Sequence, residues 1–132
     1  MSRLSEVLSK IDFHAVYEKS IREAVDRASQ HSFSSMQIET AMPDFFPEQC
    51  NIKSRREIRR YAEDKNVTLK VHAPIEDCSL QTLHAAIRQA VIKRRKEIIG
   101  FAGDLGAKLA VIHPGTVPAF TIPGKGSVPI DI

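Results

Sequence analysis

The chain has 132 residues, 42% of them hydrophobic and 27% charged, with a formal net charge of +3; this excludes a disordered or fibrous polymer and allows one globular core. No apolar run approaches the roughly 20 residues that a membrane-crossing helix needs, and the charged, amphipathic start MSRLSEVLSKID does not read as a secretory signal, so a cytoplasmic location is expected. Cys50 and Cys78 form no CxxC pair, which favours two free thiols over a disulfide or a zinc ribbon.

Leu4, Val7, Leu8 and Ile11 recur at helical spacing and predict a short amphipathic opening helix. Residues 11–17 (IDFHAVY) predict a first strand, and Ser20 then offers an N-cap for a helix with Ile21, Ala24, Val25 and Ala28 on one face. After a break at residues 31–34, residues 35–40 (SMQIET) predict a second strand, closed off by Pro43. The loop at 42–52 carries Pro43, Pro47 and the adjacent Phe45 and Phe46; beyond it Ser54 is the expected cap of a helix over 55–64, which Asn66 ends. Residues 67–71 (VTLKV) predict a third strand by their β-branched content, stopping at His72-Ala73-Pro74, where proline removes a ladder donor.

From 81 to 105, Leu83, Ile87, Val91, Ile98, Phe101, Ala102 and Leu105 trace the face of a long helix ended by Gly106. The continuous apolar run at 109–112 predicts a fourth strand covered on both faces, ending at His113-Pro114-Gly115. Residues 116–132, broken by Pro118, Pro123, Gly124, Gly126 and Pro129, read as an irregular tail.

Strands alternating with helices across short links predict right-handed βαβ units in a parallel sheet. No GxGxxG follows the first strand and no GxxxxGK[ST] occurs, so neither the dinucleotide-binding nor the P-loop version of that layout is supported. A barrel segment or a small open sheet remains. Basic clusters at Lys53, Arg55, Arg56, Arg59, Arg60 and at Lys93, Arg94, Arg95, Lys96 fall on predicted helices without interleaved aromatics. They read as solvated outer faces, which disfavours a nucleic-acid partner.

Alternate side chains of a strand face opposite sides of the sheet. If His72 faces the inner side, so does Lys70, and the same parity turns Gln37, Glu39, Asp12, His14, Val111 and His113 inward. Met36, Ile38, Leu69, Val71, Phe13 and Ile112 then pack outward against the helices. Each strand thus ends in a ligand-type residue: His14, Glu39, His72 and His113. Strand C-terminal ends are where parallel α/β proteins place their chemistry, and imidazole nitrogen with carboxylate oxygen is a common donor set for zinc, manganese or a related divalent ion. The plainer alternative for each histidine is a hydrogen-bonded turn residue before proline, and Lys70 either pairs with Glu39 or meets an anionic substrate group.

The strings SSMQIET, VTLKVHAPIEDCSL and LGAKLAVIHPGT, in this order and with a long helix between the last two, resemble the xylose isomerase-like TIM-barrel superfamily. That superfamily includes sugar-phosphate isomerases and epimerases and endonuclease IV-like apurinic/apyrimidinic endonucleases. The resemblance covers roughly residues 11–116. It implies an α/β fold, the first half of a TIM-type barrel of about four strands, with residues 1–132 forming a single incomplete β/α-barrel domain. In the endonuclease-like branch, histidines matching His72 and His113 bind metal and one placed like His14 lies in the site. In the isomerase branch the metal is held mainly by carboxylates and a histidine from later strands.

The expectation that follows is a metal-dependent sugar or sugar-phosphate isomerase or epimerase, incomplete as an isolated chain. His72 and His113 would be its metal ligands for zinc, manganese or magnesium, Glu39 its catalytic carboxylate, and Lys70 and His14 its substrate contacts. The alternatives are a metal-dependent phosphodiesterase of the endonuclease kind and a non-catalytic half barrel. A half barrel leaves sheet edges and an inner face uncovered, so self-association or a missing C-terminal half is the expected partner, with no membrane role.

Overall fold

A computed structural model describes residues 3–75, 79–116 and 119–129. A short helix α1 (Arg3–Leu8) leads into strand β1 (Asp12–Ala15), helix α2 (Ile21–Gln30) and strand β2 (Ser35–Glu39). Two single 3-10 turns (Pro43–Phe45 and Pro47–Gln49) precede helix α3 (Ile52–Asp64), strand β3 (Thr68–His72), helix α4 (Ala85–Asp104) and strand β4 (Ala110–Val111). Strands β1 to β4 form one parallel sheet in the order β1-β2-β3-β4. This is the order that successive right-handed βαβ units generate, and the fold is part of a TIM barrel.

Local signals explain most of these boundaries. The Ser20 hydroxyl accepts the Glu23 N–H at 3.1 Å, and the Glu23 carboxylate reaches back to the Lys19 N–H at 2.8 Å. One orphan donor of the first turn of α2 is thereby satisfied, and the same glutamate holds the chain that enters the helix. At α3 the cap is Asn51, not Ser54: Asn51 is the last extended residue, and its Oδ1 accepts the Ser54 N–H at 2.9 Å. Ser54 already lies in the first turn, where its own hydroxyl bonds the same oxygen at 3.2 Å.

Helix α4 begins at Ala85, later than the apolar spacing predicts, because the preceding loop is tied to the chain beyond β4. Leu80 N–H donates to Pro114 O at 2.9 Å and Ser79 Oγ to Thr116 O at 3.1 Å, which leaves Leu83 outside the helix and half exposed. The tail is not irregular either. Ala119–Ile122 (β5) pairs antiparallel with Gly126–Pro129 (β6), and the reversal uses positive φ at Gly124 (+79°) and Gly126 (+76°). Pro129 sits in the last pair of the ladder and Pro123 in the turn, where neither interrupts a strand interior. Cys50 is a buried free thiol, and its burial pushes its pKa up despite the nearby Arg55 charge; Cys78 lies outside the described residues.

The core lies between the outer face of the sheet and the helices. Met36, Ile38, Leu69 and Val71 are buried there against Val25, Ala28, Ala62, Ile98, Phe101 and Leu105, as strand parity requires. Phe13 packs outward on Phe33 at a ring separation of 5.5 Å. Two arginines from the basic clusters depart from the solvated-face expectation. Arg95 is 5% exposed. Arg55 bonds Asp104 on α4 (2.8 Å), Cys50 O (2.7 Å) and Pro47 O (2.7 Å), and its guanidinium lies 5.0 Å from the Phe101 ring centre. A planar cation with several donors suits this three-way junction of the turns, α3 and α4.

Arg55→Ala removes a charged hydrogen-bond set and strands the partner groups, so the chain should lose about 2–3 kcal/mol of stability, read as a lower urea midpoint at unchanged slope. A midpoint equal to wild type would mean that water replaces Arg55 at the junction.

Candidate functional site

The inner face of the sheet is polar where the outer face is apolar. Parallel pairing places Asp12 beside Ser35 and Thr68, His14 beside Gln37 and Lys70, and Glu39 beside His72. His72 is in turn beside Val111, so residues of one parity form successive layers across the strands.

Low on this face an ion pair skips a strand and joins two successive layers. Lys70 Nζ on β3 reaches over β2 to both carboxylate oxygens of Asp12 on β1, at 2.8 and 2.9 Å, and the Ser35 hydroxyl bonds the same carboxylate. Burial alone pushes the Asp12 carboxyl up. The hydrogen bonds from Lys70 and Ser35, with the Lys70 charge, outweigh that and hold it below its ordinary value. Lys70 thus faces inward, as parity predicts, with Asp12 rather than Glu39 as its partner.

Toward the strand ends the side chains of the four strand-end residues meet in one line. Glu39 Oε1 accepts the Ala41 N–H at 3.1 Å, which turns Oε2 toward the imidazoles. Oε2 lies 3.3 Å from His14 Nε2 and 2.7 Å from His72 Nδ1. The approach to Nδ1 is close but poorly aligned with an N–H direction, so this buried nitrogen has no well-formed hydrogen bond. On the other side of the ring, His72 Nε2 is 2.9 Å from His113 Nε2.

Main-chain contacts hold the line in place. The Thr40 N–H (3.0 Å) and hydroxyl (2.8 Å) both donate to His72 O, and Ala73 N–H donates to Val111 O at 2.9 Å. Gly115, at φ +93°, passes so close to Ser79 that a side chain there would collide with it.

These donors fit part of a divalent-metal ligand set. Nitrogens 2.9 Å apart are near enough to share one ion at roughly 2.0–2.1 Å from each. Among the described residues no group of three or more His, Cys, Asp or Glu side chains is arranged to hold a metal ion, so the pair offers at most two ligand nitrogens. Thr40 and Arg95, which support the two histidine carbonyls, carry no site signal in the sequence. Thr40 continues the outward, buried parity of Met36 and Ile38, and Arg95 sits inside a basic run.

A parallel sheet with crossover helices on its outer side, and nitrogen and carboxylate groups collected at its strand ends, defines a segment of a β/α barrel. The sequence profile of the xylose isomerase-like TIM barrel matches residues 25–127, and the chain belongs to that family. The uncharacterized protein MJ1311 of Methanocaldococcus jannaschii is 25% identical over 100 residues, spanning 76% of this chain and 33% of that protein. A crystal structure of D-psicose 3-epimerase in the presence of D-fructose superposes with a TM-score of 0.63 at 13% identity, over 75% of this chain and 35% of the epimerase. The chain therefore spans about a third of the length of the proteins it matches.

Because the Asp12 pKa is lowered in the folded chain, its contribution to stability is present above the unfolded carboxylate value of about 3.9 and is lost as pH falls through the folded value. Wild type should exceed Asp12→Asn in stability by about 1 kcal/mol at pH 7, with a smaller gap at about pH 3. Urea midpoints of both proteins at the two pH values test this; a gap that widens on acidification would reverse the assignment.

Proposed function

We propose that this chain carries one part of a divalent-metal site for isomerising or epimerising a sugar or sugar phosphate. The observation that carries the reading is the His72–His113 pair, flanked by Glu39 and His14 on the inner face at the strand ends. The family and the fold shared with an epimerase support it.

When bound, zinc, manganese or magnesium would polarise the hydroxyl–carbonyl unit of the substrate. His72 and His113 would hold it through their Nε2 atoms. Glu39 beside His72 Nδ1 favours the proton on that nitrogen, which leaves Nε2 its lone pair. The Glu39 carboxylate, fixed by Ala41, also lies within reach of a sugar hydroxyl entering beside His14. Lys70 is engaged by Asp12 one layer below, so in this reading it shapes the charge of the floor rather than gripping the substrate. Further carboxylates, needed to move the proton between carbon and oxygen, would come from later strands of the same barrel or from a second copy.

The facing histidine pair also favours a second reading, metal-dependent phosphodiester cleavage, in which ions activate water and stabilise the leaving oxygen.

Calorimetric titration should show loose binding of zinc or manganese to the wild-type chain and none to His72→Ala or His113→Ala, with Glu39→Gln weakened about tenfold. Equal affinities in wild type and His72→Ala would return His72 to a turn role. The 132-residue chain alone should neither epimerise D-fructose nor cleave a chromogenic phosphodiester above background with added metal. Turnover of one substrate, abolished by Glu39→Gln, would show that the chain needs no further carboxylates and would choose between the two chemistries.

A further inference from the structure

The two facing imidazoles are held by different means. His72 belongs to the sheet: it pairs in register with Glu39 and Val111, and its carbonyl accepts two donors from Thr40. His113 does not. Strand β4 ends at Val111, two residues earlier, so no ladder fixes the His113 backbone. Its carbonyl instead accepts Arg95 Nη2 at 2.9 Å.

Arg95 is an unexpected residue at its position. It lies midway along α4, on the face that also buries Val91, Ile98 and Ala102, and it is 5% exposed. Packing alone would be met by an apolar side chain, and a buried guanidinium costs free energy unless its donors are engaged. The planar fork is the feature no apolar residue supplies: it carries a rigid donor from the helix to a chosen carbonyl.

From this we infer that Arg95 is a positioning residue, setting the His113 backbone so that its Nε2 faces that of His72. The inference rests on the reading of the pair as metal ligands for its consequence, though not for its geometry. Partners one step behind a ligand commonly change metal affinity by about ten- to hundredfold, and a ligand outside the ladder has more positional freedom to lose than one inside it.

The test compares the full wild-type chain with Arg95→Met, which keeps length and apolar bulk, and Arg95→Lys, which keeps the charge and one donor. Phe101→Leu serves as a core change in the same helix. Two readouts are taken: the imidazole nitrogen and proton NMR shifts of His72 and His113, and the affinity for cobalt(II) followed by its visible absorption. In Arg95→Met the His113 signals should move far more than those of His72, and cobalt affinity should fall about ten- to hundredfold. Arg95→Lys should recover part of both, while Phe101→Leu, though less stable, should leave the His113 shifts in place.

Unchanged His113 shifts in folded Arg95→Met would overturn the proposal, as would equal movement in Phe101→Leu. Should Arg95→Met not fold, Arg95→Lys decides by the same shifts. If wild type binds no cobalt, the metal reading fails, and the shifts still judge the positioning role by themselves.

Discussion

The register between β2 and β3 is the constraint on which the site depends. Five consecutive pairs, from Ser35 with Thr68 to Glu39 with His72, settle two things at once. They send Ile38 and Val71 to the helices and set Glu39 level with His72 on the other side. A slip of one residue would turn the apolar set inward and the ligand set into the core, where unpaired carboxylate and imidazole groups cost several kcal/mol. Burial of the outer face thus selects the alignment of the inner one, and assembly of the site comes with core formation.

The inner face separates its charges by depth. Below, lysine and aspartate neutralise each other across a strand. Above, one carboxylate meets imidazoles, which are neutral or cationic according to proton or metal. The strands consequently alternate apolar and polar residues, in contrast to a parallel sheet buried on both faces, which would read as continuous apolar runs. The alternation weakens toward the open edge. Leu109 and Ile112 of the β4 segment are 51% and 38% exposed, so the described residues cover each only in part.

Much of this was legible in the sequence, for identifiable reasons. Parity within a strand is a local property, so Gln37, Glu39, Lys70 and His72 were placed on one face correctly before any tertiary contact was known. The capped helix at Ser20 and the strand ends before proline were equally local. What escaped prediction is long-range. Lys70 found Asp12 because a long side chain can cross a neighbouring strand. The late start of α4 follows from a loop tied to residues more than thirty positions away. Arg95 was hidden because a run of four basic residues looks uniform until the helix rotates one of them inward. The hairpin is not legible because proline and glycine signal breaks, although in a ladder of this length they occupy its ends and its turn.

The contact of Gly115 with Ser79 bears on how such a scaffold can diversify. The loops after β3 and β4 are interlocked there, backbone against side chain, and joined again through Leu80 and Pro114. A lineage that enlarged residue 115 would have to remodel the other loop in the same step, because either change alone produces a clash or a void. This stretch of wall is therefore a poor place for gradual exploration of new substrates. Novelty is more accessible in the β1–α2 connection, since in the β2–α3 connection Thr40 and Ala41 themselves hold His72 and Glu39.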